Sequence, residues 1–135
     1  MTKTKKIILD SSVFVAYLNE NDNQHKKALE IFKNLDINKM FISEYVLLEV
    51  LTVIQNKVSK SHALKFKNFI LDNFSDSILR SSDFFDDTLD LFGANSGNLS
   101  FVDVSLLVLS KKYEVITFDK SLKRAIGSYG KKRSK

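Results

Sequence analysis

The chain alternates short apolar runs with longer stretches in which apolar residues recur every three or four positions. Lys6-Ile7-Ile8-Leu9 reads as a buried strand, and Val13 to Leu18 as the helix after it. Asn19 to Asn23 is a polar turn, and Ala28, Leu29, Ile31, Phe32 and Leu35 then mark a second helix. Lys39-Met40-Phe41-Ile42 predicts a second strand, and Ser43 caps a helix carrying Val46, Leu47, Val50, Leu51 and Ile54. Ser59 or Ser61 opens another helix, with Leu64, Phe66, Phe69 and Ile70. Ser77 to Arg80 is a short third strand, and residues 83 to 93 form an acidic helix ending at Gly93. Asn95-Ser96-Gly97-Asn98 is the clearest loop. A helix follows from Ser100 to about Lys112, then the strand Tyr113 to Phe118, then a short helix from about Ser121 to Ile126. Strands separated by one or two helices predict an α/β fold with a parallel sheet covered on both faces. In such sheets ligands bind beyond the carboxyl ends of the strands.

That rule directs attention to acids. Asp10 directly follows the first strand and Asp119 the last, so parallel strands put both on one edge of the sheet. Each also reads as an N-cap for the helix behind it. Asp103 stands three residues after Ser100, the spacing of a capping box, which likewise holds it at a helix start. A carboxylate has two oxygens, so capping and metal binding are compatible. Glu49 lies in the apolar run Val46 to Leu51, where a carboxylate is costly, yet it shares a helix side with Thr52 and Asn56 and also reads as a polar stripe. The four together say more than any one. Metal-assisted phosphodiester cleavage needs hard oxygen ligands for Mg²⁺ or Mn²⁺, and a carboxylate cluster supplies them without His or Cys.

Composition narrows the alternatives. A length of 135 residues predicts one domain, here residues 1–135, and allows an apolar core without disulfides. Cysteine is absent, which excludes a disulfide scaffold, thiolate zinc and a cysteine nucleophile. His25 and His62 sit in polar stretches and read as surface residues, which disfavours histidine-based zinc and Ser-His-Asp chemistry. Phe is abundant and Trp absent, so Phe is the expected bulky core filler; periodicity leaves Phe66, Phe69 and Phe74 open between core and interface. No apolar run approaches the roughly 20 residues of a membrane helix. Asp10 interrupts Ile7-Ile8-Leu9, so the basic N-terminus does not read as a signal peptide and a cytoplasmic protein is expected.

The net charge of +5 is unevenly spread. Lys3, Lys5, Lys6, Lys131, Lys132, Arg133 and Lys135 lie in short tails at about 1–6 and 131–135, which contain no acid. The body between them keeps 14 basic and 16 acidic side chains, a net of −2. Basic tails suit a polyanion and equally suit solubility. A carboxylate cluster repels nucleic acid unless cations neutralise it, so RNA binding should depend on metal as well as on the tails.

Other acidic patterns are weaker. Asp86-Asp87-Thr88-Leu89-Asp90 matches the DDxxD pattern of isoprenoid synthases, but those are larger all-helical enzymes. Asp83, Asp86, Asp87 and Asp90 read instead as a solvated helix face. Ser12 stands where a haloacid-dehalogenase-like phosphatase would carry a second Asp, and the acidic pair of a response-regulator receiver is missing. No glycine-rich phosphate loop exists.

Ile7-Ile8-Leu9-Asp10-Ser11-Ser12, the mid-helix Glu49, Leu99-Ser100-Phe101-Val102-Asp103 and Ile116-Thr117-Phe118-Asp119 resemble, in order and spacing, the motifs of PIN-domain ribonucleases. The VapC-type toxins of toxin–antitoxin pairs are the subgroup they resemble most. The resemblance spans roughly residues 6 to 127. It implies a three-layer α/β/α fold with a four- to five-stranded parallel sheet. It also implies Mg²⁺- or Mn²⁺-dependent endoribonuclease activity through a metal-activated water, a cognate antitoxin and a homodimer. Asp10, Glu49 and Asp103 match the family's core metal-site acids, and Asp119 the more variable fourth. Ser12 and Thr117 match supporting polar positions. Glu44 also lies at the start of the third helix, but Glu49 is deeper and flanked by apolar residues, as in the family. Lys120, Lys123 and Arg124 follow Asp119 and read either as RNA-backbone contacts or as a solvated helix face. The alternatives are an RNA-processing nuclease of the same fold without an antitoxin, and an inactive RNA- or protein-binding module.

Overall fold

The computed structural model describes residues 5–95 and 97–134. The chain opens with β1 (Ile7–Leu9), α1 (Ser11–Leu18) and α2 (His25–Asn34). Then come β2 (Met40–Ser43), α3 (Glu44–Lys57), α4 (Lys60–Phe74) and β3 (Ile78–Leu79). α5 (Phe85–Asn95), α6 (Phe101–Leu109), β4 (Glu114–Ile116) and α7 (Lys120–Ser134) complete it. Among the described residues the sheet has four strands in the order β3-β2-β1-β4, all parallel.

The order determines the layers. The chain steps from β1 to β2 to β3 in one direction, then returns across the sheet to β4. Right-handed crossovers put the helices of the two directions on opposite faces, which gives the three-layer α/β/α arrangement. Accordingly α1 to α4 pack among themselves, and α6 packs against α5 and α7. The direction of winding reverses between β1 and β4, so the crevice at their carboxyl ends is the switch point where α/β sheets bind ligands.

The core is aliphatic and phenylalanine-rich. Ile8, Leu9, Ile42, Val50, Ile54, Ile70, Leu106 and Leu122 are completely buried. Each such side chain contributes about 1.5–3 kcal/mol. Phe14, Phe66, Phe74 and Phe84 are buried with them, whereas Phe69 is exposed. Helix α6 is the most enclosed: every residue from Val104 to Leu109 is buried.

Several boundaries differ from the sequence expectation. The last helix does not stop near Ile126 but runs to Ser134. Leu122, Ala125, Ile126 and Tyr129 recur at helical spacing and face the core, which outweighs about 1 kcal/mol for each of Gly127 and Gly130. The expected basic tail from 131 onward is therefore helical to 134; Lys3, Lys135 and the side chains of Lys131, Lys132 and Arg133 lie outside the described residues. Helix α5 likewise passes through Gly93, so Asn95 is helical rather than part of the loop. Helix α6 ends at Leu109, short of Lys112. The final strand is shorter than Tyr113 to Phe118 because Thr117 leaves the ladder for a side-chain bond described below.

Two local readings also change. Ser43 occupies the N-cap position of α3 but makes no capping bond. It is still the last rung of β2, paired with Leu79 and fully buried, and its hydroxyl has no partner among the described residues. His62 is exposed as expected, but His25 is half-buried. Its Nδ1–H donates to the Ala16 carbonyl at 2.7 Å, since a carbonyl only accepts, and this ties α2 back to α1.

Candidate active site

Asp10 ends β1 and is only 4% exposed. A buried carboxylate is tolerable only if its oxygens are satisfied, and here they are. Oδ1 accepts the Ser11 N–H at 2.7 Å, the N-cap bond of α1. Oδ2 accepts the hydroxyls of Ser12 at 2.9 Å and Thr117 at 2.7 Å. The Asp10 N–H donates to the Ile116 carbonyl at 2.9 Å, which locks the ends of β1 and β4 together.

Both hydroxyl protons are assigned. A hydroxyl has one proton and two lone pairs. Ser12 gives its proton to Asp10 and accepts the Phe118 N–H at 3.1 Å. Thr117 gives its proton to Asp10 and accepts the Asp119 N–H at 2.9 Å. With both protons committed, the 3.4 Å approach between the two hydroxyls is a contact rather than a bond. This network joins positions more than 100 apart in sequence and, through Thr117, holds the backbone of Asp119 to the end of β1.

Asp119 is exposed and caps α7: its Oδ1 accepts the Leu122 N–H at 3.1 Å. Asp103 is held by the capping box expected from its spacing. Its Oδ2 accepts the Ser100 N–H at 3.2 Å, and the Ser100 hydroxyl accepts the Asp103 N–H at 3.1 Å. Glu49 projects from the second turn of α3 and is exposed.

Electrostatics link the four. The Asp103 carboxyl lies above the usual carboxylate range because burial penalises its charge; Ser100 offsets this, while Asp10 and Asp119 add repulsion. The Glu49 carboxyl is raised too, first by desolvation at that end of the side chain and then by Asp10 and Asp103, while the Ser11 hydroxyl pulls it down. The charged groups acting on each are other members of the same four. Acids from four separate segments thus converge at the β1/β4 switch point.

No three of these acids stand close enough, among the described residues, to hold an ion as they are placed. The donor set still suits a divalent cation. It is all-oxygen, carries concentrated negative charge that a cation would relieve, and leaves a second lone pair on Asp10 Oδ1 beside the one that accepts the Ser11 N–H.

Other candidates separate clearly. Glu44 is engaged elsewhere: its Oε1 accepts the Ser81 N–H at 2.7 Å and fastens residues 81–83 to α3. Asp83, Asp86, Asp87 and Asp90 are exposed, as a solvated face should be. Lys120, Lys123 and Arg124 are exposed on the first turns of α7. A cleft of about 380 Å³ beside the acids is lined by Asn98, Leu99, Asp103, Asp119, Ser121, Arg124 and Ala125. A larger concavity, about 690 Å³ with Ile7, Ile31, Leu35, Ile116 and Phe118 in its walls, contains none of the four acids. Chemistry rather than size marks the smaller one. Two contributors escaped the sequence reading. Ser11, next to Ser12, had a visible signal in its position; Asn98 had none, because its loop has no periodicity.

The family model described as PIN domain matches residues 7–127. A comparison with curated proteins gives no significant match. Among solved structures, the chain is similar to Mycobacterium tuberculosis VapC20, described as a sarcin–ricin loop cleaving toxin. The TM-score is 0.75 at 18% identity, over 89% of this chain and 95% of that one. At that identity the likeness speaks to the fold. The family match spans the chain from β1 through the first turns of α7 and includes all four acids. This chain belongs to the PIN domain family.

Proposed function

We propose that this protein is a Mg²⁺- or Mn²⁺-dependent endoribonuclease. The observation that carries the reading is the convergence of Asp10, Glu49, Asp103 and Asp119 at the switch point, with desolvation first and repulsion by the other acids second raising Glu49 and Asp103. Such a cluster is unfavourable in the metal-free protein and becomes useful when a cation is bound.

In this reading Asp10, Glu49 and Asp103 hold the principal ion, and Asp119 assists it or holds a second. The bound ion supplies positive charge at the phosphate and lowers the pKa of a water. Ser12 and Thr117 keep Asp10 in one orientation by occupying Oδ2, which leaves the free lone pair on Oδ1 as the one a cation would use. The Leu122 N–H does the same for Asp119, and the Ser100 capping box for Asp103. Water attacks phosphorus in line, the bond to the 3′ oxygen breaks, and the products carry a 5′-phosphate and a 3′-hydroxyl. Lys120, Lys123 and Arg124 offer positive charge to the RNA backbone beside the acids.

The family and the likeness to a toxin of known fold support a narrower reading. Residues 1–135 form one nuclease domain, the toxin of a toxin–antitoxin pair. It acts in the cytoplasm as a homodimer and is held in check by an antitoxin protein. Among the described residues no helix is long and apolar enough to cross a membrane.

The test is incubation of purified protein with end-labelled structured RNA in Mg²⁺ or Mn²⁺, with EDTA and Asp103→Asn as controls. Cleavage lost in both controls is expected. Equal cleavage by wild type and Asp103→Asn, or the absence of both cleavage and Mn²⁺ binding, would overturn the reading.

A further inference from the structure

The three basic residues after Asp119 look equivalent in sequence, but the structure separates them. Only Arg124 lines the cleft that Asp103 and Asp119 border; Lys120 and Lys123 do not. The helix accounts for this: Ser121, Arg124 and Ala125 are three and four residues apart and share one face of α7. Arg124 shares the cleft with two carboxylates yet pairs with neither: among the described residues its side chain has no ion-pair or hydrogen-bond partner. Neither raised carboxyl counts it among its influences. Arg124 is exposed at the cleft and its side chain is unpaired among the described residues, so its guanidinium remains available to an anionic ligand.

The rest of the lining limits what that ligand can be. Asn98 and Ser121 present polar side chains, while Leu99 and Ala125 provide apolar surface. Gly97 has φ +59, a conformation that favours glycine, and it turns the chain into Asn98 and Leu99 just before the capping box. The volume of about 380 Å³ is roughly a dozen times the ~30 Å³ share of one liquid water, too large for a lone phosphate and adequate for one nucleotide. Arg binds phosphate through a planar fork of N–H donors, which a lysine cannot reproduce.

We infer that this cleft seats one nucleotide of the RNA next to the scissile bond. Arg124 grips its phosphate, Asn98 and Ser121 hydrogen-bond to it, and Leu99 and Ala125 pack against its sugar or base. Lys120 and Lys123 contribute only diffuse charge. The identity of the ligand as RNA rests on the nuclease reading; the division of labour on α7 rests on the cleft.

The test compares Arg124→Ala with Lys123→Ala, which removes the same charge one residue away and outside the cleft. Binding of a short fluorescein-labelled single-stranded RNA to the full chain is followed by anisotropy in Ca²⁺, alongside steady-state cleavage in Mn²⁺. Arg124→Ala should weaken binding about tenfold or more, as expected for loss of charge-assisted hydrogen bonds, and raise KM more than it lowers kcat. Lys123→Ala should lose only about two- to threefold, the non-specific share of one charge, and lose it less at higher salt. Arg124→Lys should recover the salt-dependent part alone. Equal losses for Arg124→Ala and Lys123→Ala, or full recovery by Arg124→Lys, would overturn the assignment. If the Arg124 effect on binding appears and no metal supports cleavage, the nucleotide seat stands and the nuclease reading falls. If cleavage is robust and the two variants behave alike, the reverse holds.

Discussion

The Asp10–Thr117 corner and the Glu49–Asp103 wall lie in the same site and are built on opposite terms. At the corner, a buried carboxylate meets three donors, and each of the two hydroxyls gives its proton to Asp10 and accepts one backbone N–H. At the wall, two more accessible carboxyls are held near other acids, and desolvation and repulsion raise both. The corner belongs to folding as much as to function, because it ties β1 to the turn after β4. The wall has no such role in holding the sheet together. A cluster of four acids is thus one anchored member and others poised around it.

The sharpest way to break this contrast is Asp10→Ala. It orphans the Ser11 N–H, the half-buried Ser12 hydroxyl and the buried Thr117 hydroxyl, and should lower stability by about 3 kcal/mol or more in urea unfolding, besides abolishing activity. A small stability change would mean that the corner is not the anchor.

Asp103→Asn should behave in the opposite sense. Its amide oxygen keeps an acceptor for the capping box, and the substitution removes a repelling charge. Melting of the metal-free protein should be unchanged or slightly higher, while cleavage falls by about a hundredfold or more, the scale of losing one electrostatic contact to the reaction. Thr117→Val is the intermediate case. It removes one bond to Asp10 and the acceptor for the Asp119 N–H, and should cost about 1–3 kcal/mol with a partial loss of activity.

The smallest expected effect is on pH dependence. A carboxyl raised in the folded chain binds its proton more tightly there than when unfolded. Its contribution to stability is fully present below the ordinary carboxylate value and is lost as pH rises through the raised one. The urea midpoint of metal-free wild type should therefore fall across that window relative to Glu49→Gln, and saturating Mg²⁺ should narrow the difference. Parallel profiles would show that Glu49 is not under strain.

Much of the fold was readable in one dimension because it depends on local rules. The run Ile7 to Leu9 followed by Asp10 reads as strand then cap, and Ser100 with Asp103 reads as a capping box; both are present. Helix ends were less legible. Gly93 looked like a stop, yet α5 continues because the packing of Thr88 and Leu91 outweighs one glycine. The period Leu122, Ala125, Ile126 and Tyr129 was visible but was cut short by the glycines and lysines around it. Ser43 looked like a cap from its residue type, whereas burial at the end of β2 governs its side chain.

By itself the sequence determined the parallel α/β class, the strand-end placement of Asp10 and Asp119, and the helix-start placement of Asp103. Each follows from period, capping and propensity within a few neighbouring residues. Only the tertiary structure decided that Thr117 closes on Asp10, that Glu44 is bonded away at Ser81, and that Arg124 alone of three basic neighbours faces the cleft. Those outcomes depend on how distant segments meet across the β1/β4 crevice, and charge and burial act through space, whatever the separation along the chain.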